Sequence, residues 1–181
     1  MGSEVSLVSC LQSPRPETLN KFKILIGSAF GLGLLPIAPG SFGALLGLGI
    51  HLAAAYWLPE EYVWGGLIVG LVLTIWANHV LTPWAQAEYS CSDPGNFVLD
   101  EVAGYLLVPM VYGDVMSFKA ACIGFFLFRV FDVIKLPGAR WIDRNWHNSW
   151  GIVLDDLVSA IYAGLCMQLI DRWEPFGMQV F

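Results

Sequence analysis

The chain has 181 residues, of which 56% are hydrophobic and only 13% charged, and its mean hydropathy is +0.62. Soluble domains carry about 25% charged residues, and a net charge of −6 argues against a nucleic-acid-binding surface. No Asp, Glu, Lys or Arg occurs from Ile24 to Pro59 or from Tyr62 to Ala87. Apolar runs of that length suit helices crossing lipid, so disorder, a secreted disulfide scaffold and an ordinary soluble enzyme are excluded in favour of one integral membrane domain.

Residues 1–18 are polar and lack the basic and apolar regions of a signal peptide. They are expected to form a mobile tail ahead of a single membrane-embedded domain at 19–181. The stretch 22–36 is apolar and rich in glycine, which fits an interfacial or re-entrant piece. Long helices are expected at 41–58, 62–82, 116–135 and 151–170, with a shorter one at 101–113 that Pro109 should kink. The expected fold is therefore all-α: a polytopic helical membrane protein of about five helices behind an N-terminal interfacial or re-entrant segment. Trp173 and Phe176 would anchor the chain's end at the outer interface.

Basic residues set the orientation. Arg15, Lys21 and Lys23 precede the first long run, and Lys135, Arg140 and Arg144 fill the loop 136–150, whereas Pro59-Glu60-Glu61 has no basic residue. Both clusters fall inside if the chain crosses five times from an inner N-terminus. Cys10, Cys91, Cys122 and Cys166 and the three histidines are too scattered for a zinc site.

In this topology the carboxylates collect on one side. Asp100 and Glu101 enter the short third helix, Asp132 ends the fourth and Asp155-Asp156 open the fifth. Acidic groups at helix N-termini can be merely structural, but that does not account for five carboxylates at the same end of three helices. A charge within a span costs about 2.5–3.5 kcal/mol, and neighbouring carboxylates repel. A divalent cation relieves that repulsion, and an all-oxygen ligand set suits Mg²⁺. Arg129, Lys135, Arg140 and Arg144 could hold an anionic substrate, although Arg129 and Asp132 at i, i+3 also suit a plain salt bridge. The Gly-Pro segment 31–40 leads into a helix where Gly40 and Ser41 could meet a phosphate through free N–H groups, with Ser41 as N-cap.

Four blocks in this order resemble the bacterial phosphatidylglycerophosphatase A family: FGLGLLPIAPGSFGALLG (30–47), DPGNFVLDEVAG (93–104), FRVFDVIKLPGARWIDR (128–144) and GIVLDDLVSAIYAG (151–164). The resemblance covers the chain from about residue 30 to its end. It implies a Mg²⁺-dependent phosphatase of the bacterial inner membrane, multi-pass, with its active site on the cytoplasmic face. The implied reaction converts phosphatidylglycerol phosphate in the membrane to phosphatidylglycerol, on the route to cardiolipin.

Carried over, the catalytic candidates are Asp100, Glu101, Arg129, Asp132, Lys135 and Asp156. The metal candidates are Asp100, Glu101, Asp132, Asp155 and Asp156, and the phosphate contacts are Gly40, Ser41, Arg129, Lys135, Arg140 and Arg144. The chain departs from the family in Ser41 for the more usual Thr, in Leu136-Pro137-Gly138 after Lys135, and in His147-Asn148-Ser149 ahead of the Asp pair. A Cys-x5-Arg match at Cys166–Arg172 reads as helix rather than as a phosphate-cradling loop. No nucleic acid is expected as a partner, and no protein partner is readable in the sequence. The rival reading is a small ion-coupled transporter or channel subunit, which would keep polar groups near the midplane between repeated halves; no internal repeat is visible.

Overall fold

The structure is a computed structural model that describes residues 18–172. The expected mobile tail up to residue 17, and the segment carrying Trp173 and Phe176, lie outside the described residues. Seven α-helices follow in order: α1 Thr18–Gly27, α2 Pro39–Trp57, α3 Glu60–Tyr89, α4 Leu99–Tyr112, α5 Phe118–Ile134, α6 Ala139–Asn145 and α7 Ser149–Arg172, with a 3₁₀ turn at Leu32–Leu34. The described residues contain no strand, in line with the all-α expectation.

Helices α2, α3 and α7 are long and apolar enough to cross a membrane. At 1.5 Å per residue α4 measures about 21 Å and α5 about 26 Å, short of the ~30 Å hydrocarbon layer. The five expected segments are all present, as three long helices and two shorter ones.

The short helix is the centre of the molecule. Helix α4 packs most extensively on α7, then on α2 and α3. Leu99, Val102, Ala103, Tyr105, Leu106 and Val108 are all buried, which is why its sequence is apolar on every side rather than on one stripe. Pro109 lies inside the helix without ending it. Gly104 lets two neighbours come close: a Cβ there would stand 2.6 Å from the Phe128 ring and 3.2 Å from the Asp156 Cβ. By contrast α3 turns Ile68, Val69, Val72, Leu73 and Trp76 outward, as a lipid-facing helix should.

Two expectations need correction, and a third gains detail. The helix foreseen at 62–82 continues to Tyr89 with Pro83 inside it. Proline removes one backbone hydrogen bond, but Ala85 and Tyr89 are buried beyond it against Phe97 and Leu99, and that burial carries the helix on. The stretch 22–36, expected as an interfacial or re-entrant piece, turns sharply: after Gly27, Ala29 and Phe30 adopt positive φ, and the Val98 N–H donates to the Gly27 carbonyl at 2.9 Å. The loop 136–150 hides α6, whose Ala139 is fully buried.

Candidate active site

Three helix ends and the second turn of a fourth helix bring the polar residues together. Asp100 and Glu101 lie in the first turn of α4, Arg129 and Asp132 in the last turns of α5, and Gly40 in the first turn of α2. Asp155 and Asp156 do not open their helix as expected. Helix α7 starts at Ser149, so both sit about two turns in, where a helix N-terminus no longer compensates them. The close approach at Gly104, one turn beyond Asp100, is what brings Asp156 to the start of α4.

Asp100, Glu101 and Asp156 each offer a carboxylate oxygen within 4.8 Å of the other two. Asp100 is 7% exposed and Asp156 4%. Asp100 Oδ1, Glu101 Oε2 and Asp156 Oδ2 are buried with no hydrogen-bond partner. Leaving a buried acceptor unpaired costs roughly 1–3 kcal/mol, and more when it is charged. Three carboxylates this close suit a hard cation, which takes oxygen ligands. This cluster fits a divalent metal, with Asp100, Glu101 and Asp156 as the residues that would hold it.

The other two expected metal ligands are engaged differently. Asp132 Oδ2 accepts from Arg129 Nη1, the i, i+3 pair that the spacing allowed, and it is also a close neighbour of Asp156. Asp155 Oδ2 receives Lys135 Nζ at 2.5 Å, and the same ammonium reaches Asp143 Oδ1 at 2.6 Å. Lys135 is thus held between two carboxylates. Its own backbone is left-handed (φ 48°) where α5 ends, which aims the side chain back toward α7. Near this clamp Asp93, Asp143 and Asp155 line a small cavity. Although Asp93 as a residue is exposed, desolvation raises its carboxyl above the ordinary value, with Lys135 opposing and Asp143 and Asp132 reinforcing that shift.

Gly40 lies directly against this group. A Cβ on it would overlap Glu101 Oε1 and stand 3.1 Å from Arg129 Nη2. Only a residue without a side chain lets α2 approach so closely. The helix is opened by Ala38 at the cap position and Pro39 at the first turn, so Ser41 is not its N-cap; proline is preorganised for that place. The Ser41 N–H donates to the Ala38 carbonyl at 2.9 Å and is already used.

Arg140 and Arg144 are not brought to the carboxylates. Arg140 Nη2 donates to the Ile134 carbonyl at 2.8 Å, and both arginines line an outward groove along α6. Sequence reading missed the supports of the site. Gln86 Nε2 donates to the carbonyls of Ser92 (2.6 Å) and His147 (2.9 Å), and the Ser149 hydroxyl meets His79 Nδ1 at 2.8 Å. Gln86 was overlooked because it lies beyond Pro83, where the helix was expected to have ended. Cys166 is an unbridged residue within the continuous α7, so the Cys-x5-Arg match has no loop to form.

Residues 25–171 match the family described as Phosphatidylglycerophosphatase A. A protein of Bacteroides thetaiotaomicron named "Putative phosphatidylinositol-3-phosphatase" is 31% identical, over 83% of this chain and 93% of its own. Phosphatidylglycerophosphatase A of Escherichia coli is 27% identical, over 85% of this chain and 86% of its own. Its namesake in Haemophilus influenzae is 30% identical, over 82% and 88%. No solved structure matches. With the family match running from α1 to the end of α7, and with the buried carboxylates inside the matched range, the chain belongs to the phosphatidylglycerophosphatase A family.

Proposed function

We propose that the chain hydrolyses the terminal phosphate of phosphatidylglycerol phosphate, using Mg²⁺ held by Asp100, Glu101 and Asp156. The observation that carries this reading is the cluster of Asp100, Glu101 and Asp156, whose carboxylates come within 4.8 Å of one another and each keep one buried oxygen unpartnered. When bound, Mg²⁺ polarises phosphoryl oxygens and makes a coordinated water more acidic.

The protein supplies the rest. Arg129, whose buried Nε has no partner, offers the phosphoryl oxygens a planar donor fork while Asp132 steadies its other end. Asp132 stands beside Asp156 and takes the proton from the attacking water. The new P–O bond forms as the bond to the lipid's glycerol oxygen breaks. That oxygen receives the proton that Asp132 took up and leaves as the alcohol of phosphatidylglycerol, and inorganic phosphate is released. Lys135 does not touch the phosphate in this scheme; bound by Asp143 and Asp155, it fixes α6 and α7 around the site. Acyl chains remain in the bilayer, so only the headgroup is recognised.

The placement of Lys and Arg supports a site on the cytoplasmic face of a bacterial inner membrane. Phosphate release from proteoliposomes carrying phosphatidylglycerol phosphate, phosphatidylinositol 3-phosphate or phosphatidic acid, with and without Mg²⁺, tests the proposal. Mg²⁺-dependent release with phosphatidylglycerol phosphate preferred is expected. Release that is unaffected by chelation, or that favours another lipid, overturns the corresponding part.

A further inference from the structure

The groove along α6 has no part in the hydrolysis just described. Its volume is about 400 Å³, and Pro137, Gly138, Arg140, Trp141, Arg144 and Asn145 line it. Arg140 and Arg144, at i and i+4, stand one above the other on one helix face. Arg140 bonds only the Ile134 carbonyl, and Arg144 makes no hydrogen bond or ion pair among the described residues. Neither guanidinium is balanced by a carboxylate, because Asp143 on the same helix is already taken by Lys135. In a chain with a net charge of −6, two adjacent uncompensated cations have an anion as their natural complement.

The surroundings indicate which anion. Trp141 is 58% exposed, and Trp146, whose ring meets it edge-on at 6.1 Å, is 43% exposed. Exposed indoles favour the headgroup level of a bilayer, where one end is apolar and the other wet. A free anion in water would have no use for them.

We propose that this groove holds the phosphodiester of an anionic bilayer phospholipid, seating α6 on the membrane surface beside the reaction site. The guanidinium pair matches the phosphodiester oxygens through planar, bidentate hydrogen bonds. The indoles pack on the glycerol and the first methylenes. The occupant is a resident lipid rather than the substrate's scissile phosphate, since Arg140 and Arg144 touch none of the buried carboxylates. Binding here does not require that the hydrolysis reading be correct.

Native mass spectrometry of the whole chain in mild detergent tests this, with phosphatidylglycerol, phosphatidylcholine and inorganic phosphate as probes. The wild type should retain phosphatidylglycerol in preference to phosphatidylcholine. An Arg140→Gln/Arg144→Gln variant should lose that retention by on the order of 25-fold in affinity, about fivefold per basic side chain near an anionic surface. Arg144→Gln alone breaks no bond within the protein and should lose about fivefold, so a folding defect in the double variant would not hide the result. Equal phosphatidylglycerol retention by the wild type and Arg144→Gln overturns the proposal. So does phosphatidylcholine held as well as phosphatidylglycerol, which would make the groove an apolar shelf, or displacement of the lipid by inorganic phosphate, which would make it a free-anion site.

Discussion

Two buried polar sites sit at different levels of the same helices, about 16 Å apart along α2, and they are built on opposite terms. Around His51 every polar atom has a partner within reach. Nε2, facing a carbonyl that can only accept, donates to Val115 O at 2.9 Å, while the Tyr105 hydroxyl, with one proton to give, stands between two acceptors, Nδ1 at 3.2 Å and Ala121 O at 3.0 Å. Asp100, Glu101 and Asp156 instead bring carboxylate oxygens within 4.8 Å of one another, and each has one buried oxygen without a hydrogen-bond partner. Both sites are deeply buried, yet only the second accumulates unrelieved charge. Burial of a polar group therefore does not mark the site here; three neighbouring carboxylates, each with an unpartnered oxygen, do.

The contrast is broken most severely at the carboxylates. Asp156→Asn or Asp100→Asn should lower phosphate release more than about 100-fold, because a neutral amide replaces an anionic ligand. The same change removes repulsion, so the melting temperature without metal should hold or rise. Added Mg²⁺ should raise the melting temperature of the wild type more than that of either variant. Near wild-type turnover in one of them would remove that residue from the site.

Next comes Gly40→Ala, whose methyl would overlap Glu101 Oε1. Overpacking on the scale of ~2 kcal/mol corresponds to a loss on the order of 30-fold in kcat/KM. Unchanged kinetics would mean that Glu101 has room to move.

Arg129→Lys asks whether the guanidinium does more than pair with Asp132. Lysine keeps the charge and loses the planar fork, so kcat/KM should fall by roughly tenfold. An unchanged value, measured on folded protein, would leave only the salt bridge.

The smallest expected effect on catalysis is at the satisfied site. His51→Ala strips the Val115 carbonyl and the Tyr105 hydroxyl of a partner, which should cost roughly 1–3 kcal/mol of stability. The folded fraction should still turn over within about twofold of the wild type, a threshold below ~0.5 kcal/mol. A large drop in kcat/KM at constant fold would erase the distinction drawn between the two sites.

The sequence disclosed the long apolar helices because charges are missing over long runs, and it disclosed that carboxylates of α4, α5 and α7 gather, although Asp155 and Asp156 sit about two turns inside their helix. It did not sort the five carboxylates. Asp132 and Asp155 differ from Asp156 only in having a cation within reach, and whether Lys135 turns back to Asp155 depends on a left-handed residue that no pattern announces. Proline works in two senses that a pattern does not separate: Pro83 lies inside α3 and is carried through by burial, while Pro39 begins α2 ahead of Ser41. Helix α6 stayed hidden because seven residues mixing Trp, Arg and Asp show no readable period.

The length of α3 has a mechanical meaning. Thirty residues make a rod of about 45 Å, still about 42 Å along the normal at a usual 20° tilt, against a ~30 Å hydrocarbon layer. Its overhang ends at Gln86 and Tyr89, and Gln86 braces the carbonyls of Ser92 and His147 that flank the carboxylates. The rod therefore works as a strut whose footing is the bilayer and whose head carries the rim of the site. Thickening the membrane draws that head toward the lipid and thinning it pushes the head out, at fractions of a kcal/mol per ångström. Turnover in bilayers of increasing acyl-chain length should accordingly pass through an optimum, and Gln86→Ala should flatten it.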